Sequence, residues 1–240
     1  MTIVRVLCVV AMVLVPVAVR AQGDVPVVSP GVHDLTLARA DAPPVHYALS
    51  VPQGYRGQPV PLILALHFGG DPNGAGRAML DILILPALGE LGAVIVAPDA
   101  LGGGWGSASN ERAVNALLAA VEKSYAIAAR RVIVTGYSMG GAGTWYWAGK
   151  YPERFSAAVP VSGRPAESSS PWRVPVFAVH SRDDQVNPIG PTEQRVADLK
   201  KAGVNAQLVV MNGVSHYETN RFVAALRQAV PWIKGVWNSR

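Results

Sequence analysis

Arg131-Val132-Ile133-Val134-Thr135-Gly136-Tyr137-Ser138-Met139-Gly140-Gly141 decides how the rest of this 240-residue chain is read. A short run rich in Val and Ile ends in Gly-x-Ser-x-Gly, and a helix-like segment from Ala142 to Lys150 follows. Strand, tight turn and helix in that order make a nucleophile elbow, in which the serine occupies a strained backbone conformation and the flanking residues must be small. Glycine is required there because a side chain would strike the neighbouring strand or helix. Ser138 therefore projects its hydroxyl above the end of a sheet, with the start of the next helix beneath it.

A serine hydroxyl is a weak nucleophile at neutral pH and needs a base, itself held by an acid. Downstream, the apolar run from Val176 to Val179 ends in His180-Ser181-Arg182-Asp183-Asp184, a polar loop with two adjacent carboxylates. Further on, Ala206 to Val210 is followed by the loop Gly213-Val214-Ser215-His216-Tyr217. His216 is the candidate base, and the order serine, aspartate, histidine separates this chain from the other known arrangements of such residues.

Outward from this centre, strand-like runs occur near residues 34–37, 46–51, 62–67, 94–97, 132–135, 157–161, 176–180 and 206–210. The later ones are short, rich in Val and Ile and apolar throughout, as strands covered on both faces are. Helical patterns near residues 76–91, 111–125, 139–150, 192–202 and 221–234 separate them. This alternation predicts an α/β fold with a doubly wound, mostly parallel sheet of eight strands, an antiparallel start and helices on both faces. Catalytic groups then lie at the carboxyl ends of strands.

From about Val45 to its C-terminus the chain resembles the α/β-hydrolase superfamily. The resemblance is strongest to its compact secreted esterases, predicted peptidases and polyester depolymerase-like proteins, within the carboxylesterase and dienelactone hydrolase group. The residues that carry it are Leu66-His67-Phe68-Gly69-Gly70, Ala97-Pro98-Asp99, the elbow, His180 through Pro188, and Gly213 through His216. It implies a serine hydrolase that cleaves carboxylic esters, with Ser138 as nucleophile, His216 as base and Asp184 as acid, Asp183 being the alternative. A peptidase or amidase using the same residues, or a non-catalytic binding protein on the same fold, are the other readings. The family pattern puts the oxyanion donors on the amides of Met139 and of Gly69 in the loop after His67. Relatives carry glycine where this chain has Phe68. Only about a dozen residues separate Val161 from Val174, where relatives insert a cap, so an open cleft without a sizeable lid is expected.

Trp105, in the glycine-rich loop Gly102-Gly103-Gly104-Trp105-Gly106, is a candidate substrate contact, as are Tyr137 and Phe68 beside the reacting groups. That loop lacks the spacing of a phosphate cradle. His67 is expected to support the oxyanion loop by hydrogen bonding, Asp99 to have a loop-ordering role, His180 to be structural, and Trp145 and Trp147 to pack.

Composition limits the remaining possibilities. A 50% apolar chain of this length fits one medium domain, read as residues 22–240. Arg5, the apolar run from Val6 to Val19 and then Arg20-Ala21 read as a secretory signal over residues 1–21, which implies export to the periplasm or medium. Cys8, the sole cysteine, lies inside that segment. The net charge of +5 falls to +3 without Arg5 and Arg20, and no basic run interleaved with aromatics suggests nucleic acid. The partner implied is a small-molecule or polymer-linked ester, with no stable membrane span after signal cleavage and oligomeric state left open. The chemistry requires no cofactor or metal, and no ligand-spaced cluster of His, Cys or carboxylates suggests one.

Overall fold

The computed structural model describes residues 23–165 and 171–239. The expected leader over residues 1–21 with Cys8, and part of the short connection after β6 below, lie outside the described residues.

Among the described residues eight strands form one sheet: β1 (Gly31–Arg39), β2 (Ala42–Val51), β3 (Val60–Leu66), β4 (Val94–Pro98), β5 (Ile127–Tyr137), β6 (Ala157–Val161), β7 (Val176–Ser181) and β8 (Ala206–Met211). Their spatial order is β1-β2-β4-β3-β5-β6-β7-β8. β2 is antiparallel to both of its neighbours, and β3 through β8 are mutually parallel, as expected. The expected antiparallel start is a hairpin that turns at Asp41, whose φ is 54°.

Period-two alternation splits the central strands between two cores. Leu62, Leu64 and Leu66 of β3 face one side with Val94, Val96, Val132 and Val134; Ile63, Ala65, Ile95 and Ile133 face the other. The first core is closed by α3 (Ala108–Ser124), α4 (Met139–Lys150) and α5 (Gly190–Lys201), through residues such as Leu117, Leu118, Trp145, Trp147 and Leu199. The second is closed by the helical stretch from Ala75 to Leu91 and by α6 (Val223–Arg227) and α7 (Ala229–Asn238). Both faces of β3, β4, β6, β7 and the second half of β5 from Val132 are thus dry, which explains why those stretches are predominantly apolar.

Where the elements differ from the sequence reading, proline and solvent account for it. The helix expected at 76–91 is α1 (Ala75–Met79), a π-helical turn (Leu80–Ile84), α2 (Leu85–Leu88) and a 3-10 turn. Pro86 has no N–H to donate, and the wider turn routes the Leu85 N–H to the Leu80 carbonyl instead. The last helix likewise breaks at Gln228, ahead of Pro231, into α6 and α7. β5 begins five residues before the apolar run, because its polar start from Ile127 to Arg131 still pairs with the head of β3 at the exposed end.

Candidate active site

β5 delivers Ser138 and α4 begins at once behind it. Ser138 has φ 56° and ψ −114°, a combination L-residues rarely hold, so the elbow is strained as its sequence implies. Its N–H is tied to the Val161 carbonyl at the end of β6 (3.0 Å). The glycines leave no alternative: a Cβ on Gly140 would stand 1.9 Å from the Leu66 carbonyl oxygen, and one on Gly136 would stand 2.6 Å from the same atom. Strand β3 runs directly under the turn.

Three side chains from three strand ends meet here. Ser138 Oγ lies 2.8 Å from His216 Nε2, and His216 Nδ1 lies 2.8 Å from Asp184 Oδ2. A carboxylate accepts and does not donate, so Nδ1 carries the imidazole proton and Nε2 is free to accept from the serine hydroxyl. The Asp184 carboxylate is wholly buried, and the Val186 and Asn187 N–H groups donate to its other oxygen at 3.0 and 2.7 Å. Asp183 is the residue left out: exposed, it accepts instead from the Gly213 N–H at 2.6 Å and ties the β7 loop to the β8 loop. Gln185 receives the His216 N–H (3.2 Å) and Glu218 that of Ser215 (2.8 Å), so the histidine loop is pinned on both sides.

The loop after β3, which carries Phe68 and Gly69, is held from below. His67 is fully buried; its Nε2 accepts from the Ala100 N–H (3.0 Å) while Nδ1–H donates to the Phe68 carbonyl (2.5 Å). Burial, the largest influence, pushes its pKa below the ordinary 6.5, and the same holds for His180. Gly69 sits against Met139, 3.9 Å separating an added Cβ from that of the methionine. The Met139 amide heads α4 and belongs to the first turn, whose N–H groups have no partner within the helix. Asp99 behaves as expected, its two oxygens accepting from the Gly74 and Gly76 N–H groups (2.8 Å each) at the start of α1.

Trp105 corrects the sequence reading. It is 1% exposed and is not among the residues that wall the cleft over Ser138, so it is not placed to contact substrate. Its indole N–H donates to the His67 carbonyl (2.9 Å), its ring meets the His67 ring edge-on at 4.9 Å, and its own carbonyl receives the Trp147 indole N–H (3.1 Å). The glycines that suggest a flexible loop instead let the chain turn the indole inward. Asn110, missed in the sequence, fixes that loop: its amide donates to the Gly102 and Gly104 carbonyls, and its oxygen accepts from the Leu101 N–H. Trp145 and Trp147 are core residues, as expected.

A cleft of about 400 Å³ opens over Ser138 and His216, walled by Phe68, Gly69, Tyr137, Val186, Tyr217 and Thr219. Two of the large apolar side chains exposed on the described surface, Val186 and Tyr217, stand on its rim. Tyr137 offers the cleft only its ring, since its hydroxyl donates to the His216 carbonyl (2.5 Å). Among the described residues no helix is long and apolar enough to cross a membrane, and no group of His, Cys, Asp and Glu has the arrangement to hold a metal ion.

His67 and His180 lead to a stability prediction. Burial makes both harder to protonate in the fold than in the unfolded chain, where they titrate near the ordinary 6.5. Below that pH the unfolded state binds more protons, so stability is lost as pH falls and is complete above it. Urea midpoints at pH 7.5 and 5.5 check this; the second is expected to be lower.

The strand order, the elbow and the helices on both faces together define an α/β-hydrolase. More narrowly, the chain belongs to the dienelactone hydrolase family, which matches residues 90–224. It is 29% identical over 151 residues to "Probable feruloyl esterase C" of Aspergillus terreus, spanning 60% of this chain and 56% of that protein. Among solved structures it superposes on a thermostable esterase with a TM-score of 0.71 at 20% identity, covering 85% of this chain and 62% of the other. A ferulic acid esterase superposes at 0.67 and 19% identity, covering 87% and 100%. At those identities the superpositions speak for the fold alone.

Proposed function

We propose that this protein is an exported serine hydrolase that cleaves carboxylic esters through an acyl-enzyme on Ser138. The observation that carries the reading is the continuous relay Ser138, His216, Asp184, with both links at 2.8 Å. His216 Nε2 takes the hydroxyl proton as Ser138 Oγ attacks the acyl carbonyl, and Asp184 holds the imidazole in the useful tautomer and balances its charge. The amides of Met139 and Gly69 receive the developing oxyanion. Each such donor typically contributes about 3 to 4 kcal/mol to the transition state. His216 then returns the proton to the leaving alcohol, and a water activated by the same nitrogen releases the acid. Export rests on the sequence of residues 1–21, and N-terminal sequencing of protein recovered from the medium or periplasm tests it, a start near Gln22 being expected.

The apolar rim and the relative named a feruloyl esterase together favour an ester with an aromatic or extended apolar acyl group. Initial rates of the wild type and Ser138→Ala on p-nitrophenyl esters of increasing length, a hydroxycinnamate methyl ester and a peptide anilide test the reading. Ester cleavage that disappears in the variant supports it. Preference for the anilide would move the protein to the peptidases, and a wild type no faster than the variant would overturn the proposal. Tyr217 is 78% exposed and its ring stands edge-on to His216. Tyr217→Ala is expected to raise KM for the hydroxycinnamate about three- to tenfold, the value of one aromatic contact, while acetate hydrolysis changes little.

A further inference from the structure

His180 is a buried histidine that the relay does not use. It is the penultimate residue of β7, 1% exposed, and both ring nitrogens have partners. Nδ1 lies 3.0 Å from Thr192 Oγ1, near the start of α5. Nε2 lies 2.7 Å from the Asn187 carbonyl oxygen and 3.4 Å from Asp184 Oδ2. A carbonyl and a carboxylate both only accept, so Nε2 carries the proton and Nδ1 accepts from the threonine hydroxyl. Every polar atom of the neutral ring is thereby satisfied. The titratable groups facing it are Asp184 and His216; Thr192 and Asn187 complete its surroundings without charge.

Asn187 links this ring to the acid a second time. Its backbone N–H donates to Asp184 Oδ1 (2.7 Å), and its side-chain amide donates to the Ser162 carbonyl (2.9 Å) just past β6. Placing a two-partner imidazole in a dry core costs desolvation that a leucine would avoid, and such networks fix one geometry when every member is satisfied.

We propose that His180 is a positioning residue for the ester chemistry: a neutral Nε2–H donor that locks the Asn187–Asp184 turn and sets the carboxylate that orients His216. The rate effects rest on the hydrolase reading above; the state of the ring does not.

The test compares His180→Phe, which fills the space without a donor, with His180→Gln, which keeps an N–H near the Nε2 position. On p-nitrophenyl acetate His180→Phe is expected to lower kcat about tenfold with KM within about twofold, and His180→Gln to recover most of the loss. Equal kcat in wild type and His180→Phe, or a glutamine variant no better than the phenylalanine one, overturns the proposal. Should His180→Phe not fold, Thr192→Val keeps the ring and removes its hydroxyl donor. It is expected to lower kcat about threefold, and an unchanged kcat counts against the proposal. Independently of activity, ring 15N spectra of the wild type, with His180 assigned by its absence in His180→Gln, are expected to show a neutral Nε2–H tautomer from pH 6 to 8. An Nδ1–H tautomer, or titration in that range, overturns it. If the wild type cleaved esters no faster than Ser138→Ala, the hydrolase reading would fail while the spectra still decided the ring's role.

Discussion

Ser138→Ala is expected to lower kcat for ester hydrolysis by about 10⁴- to 10⁶-fold while leaving the fold intact. The size follows from what is removed: without Oγ there is no atom to form the acyl-enzyme, and only the oxyanion amides and substrate binding remain to act on a water attack. The fold should survive because Ser138 is held through its backbone. Its N–H bonds to the Val161 carbonyl and its own carbonyl accepts from the Ala142 N–H (2.9 Å). Alanine is strained at φ 56°, as serine is, so the substitution exchanges one L-residue for another at the same cost. Equal melting temperatures with widely different kcat is the expected pair of results, read by circular dichroism and by steady-state kinetics on one ester.

Trp105→Ala carries the largest stability effect. Truncating a fully buried tryptophan typically costs about 3 to 5 kcal/mol, and here it also strands the His67 carbonyl, whereas the main-chain carbonyl that receives the Trp147 indole N–H remains. Activity should fall as well, because the loop that carries Phe68 and Gly69 rests on His67. Trp105→Phe separates the two contributions. It keeps an aromatic ring against His67 and loses the indole N–H, so about 1 kcal/mol of stability is expected to go. Urea denaturation gives the stability of both variants, and kcat measured far below the unfolding transition gives the effect on the loop. A Trp105→Ala protein as stable as wild type would contradict the buttress seen here.

What the sequence made legible was whatever left a periodic or local mark. β3, β4, β6, β7 and β5 from Val132 onward were readable because helices dry them on both faces and leave short apolar runs, whereas the exposed, polar start of β5 was not. The elbow was readable because Gly136 and Gly140 must stay bare beside β3. The choice of Asp184 over Asp183 needed the family pattern, because two adjacent carboxylates differ only in which way the backbone aims them. The structure aims Asp184 at His216 and Asp183 at the Gly213 amide. Trp105 was misread for a related reason: glycine neighbours signal freedom of the chain, and only the fold shows that the freedom is spent turning the indole inward. Asn110 and Asn187 left no signal at all. Each satisfies backbone groups of a loop that its own sequence position does not reveal, through side-chain bonds reaching 8 and 25 residues away. The breaks at the π turn and at Gln228 could have been read from Pro86 and Pro231, which remove a helical donor.

The central claim is that Ser138 is a nucleophile activated by His216, and covalent trapping tests it most directly. Incubation with an alkyl fluorophosphonate, followed by intact mass and peptide mapping, is expected to give one adduct on the peptide that contains Ser138. Ser138→Ala is expected to give none, and His216→Ala to label far more slowly. An adduct elsewhere in the chain, or a wild type that reacts no faster than the His216→Ala variant, would contradict the account.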